Sequence, residues 1–373
     1  MRSSMNRGVD QLSHGGRTKE LAEAAGIPEE ELLDFSANIN PAGAPPWLGE
    51  AIEEGASRIG VYPDPDAGRA RDAAALRYGL GRERFVFADG ADSFVFALPG
   101  ALGASSCIAP SPSYSGYLRA ANRAGLRMLR VPLDPEEEYS LASEGFARRL
   151  AETLAGAASP ALVFLGAPNN PAGGSMKRES LLELAGRHPD AFFALDESFA
   201  ELAGEDRGMI GAPASKLVVL RSLTKTWAVP GARVGFASAE PTLIERIRAE
   251  LPAWPLSCFA EAIAVRALAD REFSSSSAAF VARAEVAFVE ALRALGEIKV
   301  HRSGANFLLL ELSTPGKGGE AASALLRSGI AVRGFADEEG LDGRFLRVAV
   351  RRPEENARLV SRLAIILDGG TAS

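Results

Sequence analysis

The chain has 373 residues, a formal net charge of −7, two cysteines and three histidines, and 47% of it is apolar. That acidity argues against nucleic acid as a partner, because a phosphate backbone needs a basic stripe. Cys107 and Cys258 lie in no CxxC, which excludes a disulfide framework and a cysteine-rich zinc site, and His14, His188 and His301 are too scattered for a histidine-built metal site. The opening MRSSMNRGVDQLSHGG lacks a signal peptide's apolar core. No run approaches the ~18 apolar residues of a membrane span, so a membrane partner is not expected. What remains is a soluble, cytoplasmic α/β-type protein, longer than the ~250–300 residues at which one core stops growing.

Residues 1–30 begin polar and patternless and read as an arm. LLDFSANIN (32–40) is strand-like and ends at Pro41, and AGAPPW (42–47) breaks the chain before a helical stretch at 48–59. From the helix at 69–78 onward, helical segments alternate with short apolar runs: FVFA (85–88), SCIA (106–109), RMLRV (127–131), ALVFL (161–165), AFFAL (191–195), LVVL (217–220) and VGFA (234–237). Several are too continuous for half-exposed strands and suit strands buried on both faces. The alternation implies a mainly parallel sheet sandwiched by helices. After residue 240 the pattern shifts to helices at 242–251, 259–270 and 276–295, a strand at 305–312, a helix at 319–328, strands at 330–333 and 345–350, and a last helix at 353–367. This reads as a smaller α+β domain. The expected division is an arm with part of the small domain at 1–44, a large domain at 45–250 and a small domain at 251–373. SSSS (274–277) reads as a helix start or a loop.

Neither GxGxxG nor GxxxxGK[ST] occurs. The phosphate-loop candidate is Asp89-Gly90-Ala91-Asp92-Ser93, a Gly-containing turn that opens a helix after a strand and offers free N–H groups. Of only six lysines, Lys225 alone follows a buried strand, at the C-terminal end where open α/β sheets place ligands. A lysine partly withdrawn from water has a lowered pKa and serves as an imine-forming nucleophile. Ser222 and Arg233 flank it and suit one phosphate, as hydroxyl donor and bidentate guanidinium. Asp196 ends another buried strand and reads either as a helix N-cap or as a carboxylate holding a pyridinium N–H. APNNP (167–171) ends the preceding one and is otherwise an ordinary loop signal. Three consecutive strand ends thus carry Asn, Asp and Lys. His188 is expected at a helix end and His301 on an exposed strand.

PNNPAG (168–173), LDESF (195–199), SLTK (222–225) and PGAR (230–233), in this order, resemble a fold type I pyridoxal-phosphate enzyme of the class I/II aminotransferase superfamily, over about 14–367. The resemblance implies that Lys225 carries pyridoxal 5′-phosphate through an imine and shuttles protons, and that Asp196 pairs with the pyridine nitrogen. It gives Asn170 a bond to the ring O3′ and stacks Tyr114 on the ring. Ala91, Asp92, Ser93, Ser222 and Arg233 become the phosphate cup, and Tyr62 in VYPDP matches a tyrosine reaching the phosphate from the partner of a homodimer with shared active sites. Arg347 in FLRVAV matches the arginine that binds the substrate carboxylate; without the resemblance it reads as a solvent-facing strand residue.

Two sub-families compete, histidinol-phosphate aminotransferase and the threonine-phosphate decarboxylase of cobalamin biosynthesis. His14-Gly15-Gly16 with FSANINP (35–41), the proline of VPGAR (229–233), and Phe199 where the aminotransferases carry Tyr resemble the second. Both take small phosphorylated amino acids or amino alcohols. Arg333 in GIAVRGF (329–335) resembles the arginine that grips the substrate phosphate, and Asn38 and His14 are placed to close over the substrate from the arm. A non-catalytic cofactor-binding protein on this scaffold is the third reading.

Overall fold

The computed structural model describes residues 15–205, 208–314, 316–335 and 340–369. They form two compact units, one from the described residues within 1–41, 171–173 and 280–373, the other from those within 42–170 and 174–279. The chain begins in the smaller unit with α1 (Thr18–Ala25) and β1 (Leu33–Asp34). The larger unit follows in chain order: α2 (Leu48–Ser57), α3 (Gly68–Tyr78), β2 (Phe85–Ala88), α4 (Ala91–Ala101), β3 (Ser106–Ser111), α5 (Ser115–Arg123), β4 (Met128–Pro132), α6 (Glu144–Gly156), β5 (Ala161–Gly166), α7 (Arg178–Arg187), β6 (Phe192–Asp196), β7 (Leu217–Ser222), the single turn α8 (Leu223–Thr226), β8 (Gly235–Ser238), α9 (Pro241–Ala249) and α10 (Cys258–Ala269). Helix α11 (Arg271–Arg293) leads back to β9 (Ile298–Arg302), β10 (Phe307–Leu312), α12 (Lys317–Arg327), β11 (Ile330–Ala331), β12 (Arg333–Gly334), β13 (Phe345–Ala349) and α13 (Pro353–Leu367).

The boundary expected at 250 lies instead at Ala279, within α11. Helix α10 belongs to the larger unit because it packs on α2 and α3. The approach is close enough that a Cβ at Gly55 of α2 would stand 2.8 Å from the Cα of Phe259, so only glycine permits that crossing.

The large sheet has the order β2-β8-β7-β6-β5-β3-β4. It is parallel from β4 through β7, while β8 runs antiparallel to both β7 and β2. The continuous apolar runs are its centre: β5 and β7 are buried along their whole length. Phe164, Leu162, Val218 and Leu220 are completely withdrawn from water, each adding about 1.5–3 kcal/mol. Strand β4 stands at the edge and is exposed accordingly. Because β5, β6 and β7 are parallel, their C-terminal residues Gly166, Asp196 and Ser222 emerge at one edge.

The smaller unit holds an antiparallel sheet in the order β12-β13-β10-β9 and a separate parallel pair, β1 with β11. The expected strand 330–333 therefore divides between two sheets. The expected strand in LLDFSANIN shrinks to two residues, since the Asp34 carboxylate accepts from Ser36 N at 2.7 Å and Ser36 Oγ at 2.6 Å. That local turn competes with the ladder. SSSS lies inside α11, where Ser274, Ser275 and Ser276 donate to the carbonyls three residues back at 3.1, 3.0 and 3.1 Å. His301 is buried on β9, not exposed, with Nε2 2.9 Å from Glu311 Oε2; His188 caps the end of α7. Among the described residues no helix is long and apolar enough to cross a membrane.

Candidate active site

At the C-terminal edge of β5–β7 lies a cleft of about 240 Å³ in the larger unit. Lys225, Asp196, Asn170, Tyr114, Ala91, Asp92, Ser222 and Arg233, all singled out from sequence, line it. Lys225 is placed by α8, a turn that opens directly off β7. The two asparagines of PNNP divide: Asn169 is fully buried and donates to the Pro112 carbonyl at 3.0 Å, whereas Asn170 reaches the cleft.

One end of the cleft is built for an anion. Helix α4 starts at Gly90, with no side chain capping its first N–H groups. Gly90 has φ +116°, and a Cβ there would meet Arg233 Nη2 at 2.7 Å. The guanidinium thus leans over the turn into the space that a side chain at residue 90 would take, and the positive φ there also favours glycine. Arg233 itself is held at φ +49°, a left-handed conformation that costs a non-glycine residue about 1–2 kcal/mol. The Ser222 and Thr224 hydroxyls, 2.8 Å apart, stand on the same turn as Lys225. Strand β8 passes so close beneath that a Cβ at Gly235 would sit 2.6 Å from Ala91 N.

The other end carries a half-buried carboxylate. Asp196 Oδ1 accepts from Ser198 N at 3.0 Å and Ser198 Oγ at 2.5 Å, and Oδ2 accepts from Tyr117 OH at 3.0 Å. All three donors are neutral. Burial raises its pKa above the ordinary carboxylate value, the three hydrogen bonds pull the other way, and the charge of Asp92 raises it further. A cation brought to Asp196 would relieve that cost, and a pyridinium N–H is such a cation. Together, anion cup, lysine and acidic end fit pyridoxal phosphate.

Tyr114 OH donates to Asp92 Oδ1 at 3.0 Å, and burial beside Asp92 keeps its phenol neutral well beyond the ordinary range. A Cβ at Gly116 would collide with the Tyr114 ring at 2.2 Å, so glycine lets the ring fold back over the start of α5.

Other expected residues lie elsewhere. Ser93 turns its hydroxyl to the Asp89 carboxylate and does not line the cleft. Tyr62 is 79% exposed and stacks on Trp254 at 4.5 Å. Arg347 is buried on β13 in the smaller unit, not solvent-facing, and donates through Nη2 to the Ser36 carbonyl. Arg333 stands directly opposite it on β12. Burial, and secondarily the charge of Arg333, lowers the Arg347 pKa to about 9. Asn38 is buried in the same unit, its Oδ1 without a hydrogen-bond partner. His14 lies outside the described residues.

Sequence reasoning missed Tyr117, Ser198 and Thr224. The signal for Tyr117 was present: it follows Tyr114 by three residues, one helical turn. Phe199, noted as a departure, does line the cleft.

A family model described as aminotransferase class I and II matches residues 30–363. The adenosylcobalamin biosynthesis bifunctional protein CobDQ of Leptospira interrogans is 30% identical over 95% of this chain, which spans 41% of that longer protein. The threonine-phosphate decarboxylase of Salmonella typhimurium is 30% identical over 96% of this chain and 97% of its own length. The histidinol-phosphate aminotransferase of Methanothermobacter thermautotrophicus is 29% identical over 95% and 94%. A solved histidinol-phosphate aminotransferase from Sinorhizobium meliloti, in complex with pyridoxal-5′-phosphate, shares the fold with a TM-score of 0.84 at 19% identity, over 98% of this chain and 97% of that one.

Proposed function

Because the chain belongs to the class I and II aminotransferase family, we propose that it is a pyridoxal-phosphate-dependent lyase that decarboxylates O-phospho-L-threonine to aminopropanol phosphate. The observation that carries this is the convergence of Lys225, Asp196, Asn170 and Tyr114 with the Gly90–Arg233 anion cup in one cleft. The substrate half is supported by 30% identity to the Salmonella decarboxylase over nearly its whole length.

When bound, pyridoxal phosphate supplies an imine-forming aldehyde and an electron sink for the bond that breaks. The protein's part is to hold and orient. Ser222, Thr224, Arg233 and the first N–H groups of α4 hold the phosphate, a charge-assisted set. Asp196 accepts from the ring nitrogen. Tyr114 covers the ring face and excludes water. Asn170 donates to O3′ and is its main donor, since Phe199 offers no hydroxyl. Lys225 anchors the cofactor, then holds and delivers a proton at Nζ.

Arg347 and Arg333, cross-strand neighbours in the smaller unit, are assigned to the substrate's carboxylate and phosphate, with Asn38 Oδ1 accepting from its amino group. Like charges placed opposite each other on a sheet destabilise it, and a dianionic substrate reverses that sign. Tyr62, with exposed Ile59, Val61 and Trp254 around it, is assigned to the interface of a homodimer with shared active sites.

A histidinol-phosphate-type aminotransferase is the second reading, favoured by the Methanothermobacter relative at 29% identity. Incubation with phosphothreonine separates the two. Carbon dioxide released without an added keto acid is the expected result; strict dependence on 2-oxoglutarate would overturn the decarboxylase. Borohydride reduction and peptide mass spectrometry test the cofactor, with the pyridoxyl mass expected on Lys225.

A further inference from the structure

Against the burial that raises the Asp196 pKa works a hydrogen bond from a residue that the proposed function leaves unused. Tyr117 is buried, and its hydroxyl donates to Asp196 Oδ2 at 3.0 Å. Its ring lies flat on Phe164 of β5, with centroids 4.9 Å apart and planes 5° apart, and meets Tyr114 edge-on at 5.5 Å and 87°. These contacts fix where the hydroxyl points. Oδ1 already takes two bonds from Ser198. Each carboxylate oxygen accepts about two, so Tyr117 leaves Oδ2 one lone pair, and Asp196 lines the cleft.

The chemical type of this donor matters. A histidinium or guanidinium in its place would cancel the carboxylate's charge and compete with a cationic ligand. A phenol donates without neutralising. Burial and the adjoining Asp196 charge hold the Tyr117 phenol protonated well above its usual range, so it stays a donor throughout the working range. The start of α5 thus presents two cleft-lining tyrosines with separate partners, Tyr114 bonded to Asp92 and Tyr117 to Asp196.

We propose that Tyr117 is a positioning residue that keeps Asp196 ionised and aimed into the cleft, and thereby sets how firmly the cofactor's ring nitrogen is held in its protonated form. This rests on the reading of the cleft as a pyridoxal-phosphate site. Tyr117→Phe removes one oxygen and preserves the stack on Phe164. The holoprotein is loaded with pyridoxal phosphate labelled with ¹⁵N in the ring, and the ring ¹⁵N signal is compared between wild type and variant at one pH, alongside the cofactor dissociation constant and the steady-state constants.

In Tyr117→Phe the signal is expected to move toward the unprotonated position. Cofactor affinity and kcat should each fall about tenfold, the scale of one hydrogen bond to a charged group, with KM for substrate nearly unchanged. A 3-fluorotyrosine at position 117, a stronger donor of the same shape, should move the signal the opposite way, which keeps the test open if Tyr117→Phe folds poorly. A ring signal and affinity unchanged in both variants, even with a lowered melting temperature, would show a purely structural tyrosine and overturn the inference. A wild type that binds no pyridoxal phosphate would overturn the parent reading and this inference with it.

Discussion

Two consecutive residues of one chain segment divide the large unit into contrasting regions. Asp196 faces the cleft, and Glu197 enters the layer behind it. Glu197 is buried and Asp196 is half-buried in the cleft, and withdrawal from water raises the pKa of both. Glu197 accepts from Arg221 Nε at 2.9 Å and from Met209 N at 2.8 Å, and its ion pair with Arg221 closes at 2.8 Å. Arg221 is 3.8 Å from Glu201, which also pairs with Arg77 at 3.5 Å. Two acids and two guanidiniums thus balance within the protein. Burial pulls the Arg221 pKa down, but the negative groups around it, Glu197 foremost, together outweigh that and raise it. Asp196 receives only neutral donors. The lesson is that a carboxylate withdrawn from water has two resolutions: a structural charge is closed by cations within the protein, while a ligand-binding carboxylate is given neutral donors alone and left for its partner to match. The smaller unit repeats the contrast, with His301 against Glu311 and Arg347 opposite Arg333.

The largest expected effect lies on the cleft side. Lys225→Ala should reduce kcat by roughly 10⁴-fold or more, as loss of both anchor and proton carrier implies, and should abolish the borohydride-fixed mass on the 225 peptide. The layer behind should be intact, so the variant's circular dichroism and melting should follow wild type. Turnover within tenfold of wild type would break the comparison at its root.

Behind the cleft the damage should appear in stability. Glu197→Ala leaves the Arg221 charge buried without its main partner, a loss of about 3–5 kcal/mol. Chemical denaturation should show it, and the double variant Glu197→Met/Arg221→Met should recover most of it, because an apolar pair avoids desolvation altogether. A loss below about 1 kcal/mol in Glu197→Ala would mean that the pair is no structural closure.

How much of this was legible follows the same line. The buried strands were plain because continuous apolar runs leave little alternative, and Asn170, Asp196 and Lys225 stood out because they end three such runs. Tyr117, Ser198 and Thr224 were not, because a hydroxyl's role depends on which acceptor lies within 3 Å, and composition is silent on that. LLDFSANIN looked like one long strand, yet Asp34 turned it after two residues by bonding Ser36. His301 looked exposed because its partner Glu311 is ten residues away, across a register that only the folded sheet supplies. The division at Ala279 was hidden for a similar reason, since the α2–α10 crossing at Gly55 joins segments 200 residues apart.

In the smaller unit, Arg333→Ala should lower kcat/KM by about 10- to 100-fold for phosphorylated substrates, the scale of a lost charge-assisted bond. Unphosphorylated analogues should be affected far less. Equal losses on both would remove Arg333 from phosphate recognition and leave its charge beside Arg347 as a feature of the sheet alone.

The smallest effect tests the comparison most directly. In the absence of cofactor the folded Asp196 carboxyl has a raised pKa, chiefly through burial, so it retains its proton where the unfolded chain, titrating near ~3.9, has lost it. Its stabilising contribution is therefore complete below the unfolded value and is lost as pH rises through the folded one. Calorimetry of the cofactor-free protein should show stability falling across this window relative to Asp196→Asn, which has no proton to lose, by at most about 1.4 kcal/mol per pH unit. Adding pyridoxal phosphate to wild type should flatten the difference, because a protonated ring nitrogen favours the carboxylate. Parallel pH profiles for cofactor-free wild type and Asp196→Asn would place Asp196 with Glu197, as a charge already satisfied by the protein, and the distinction between the two regions would fall.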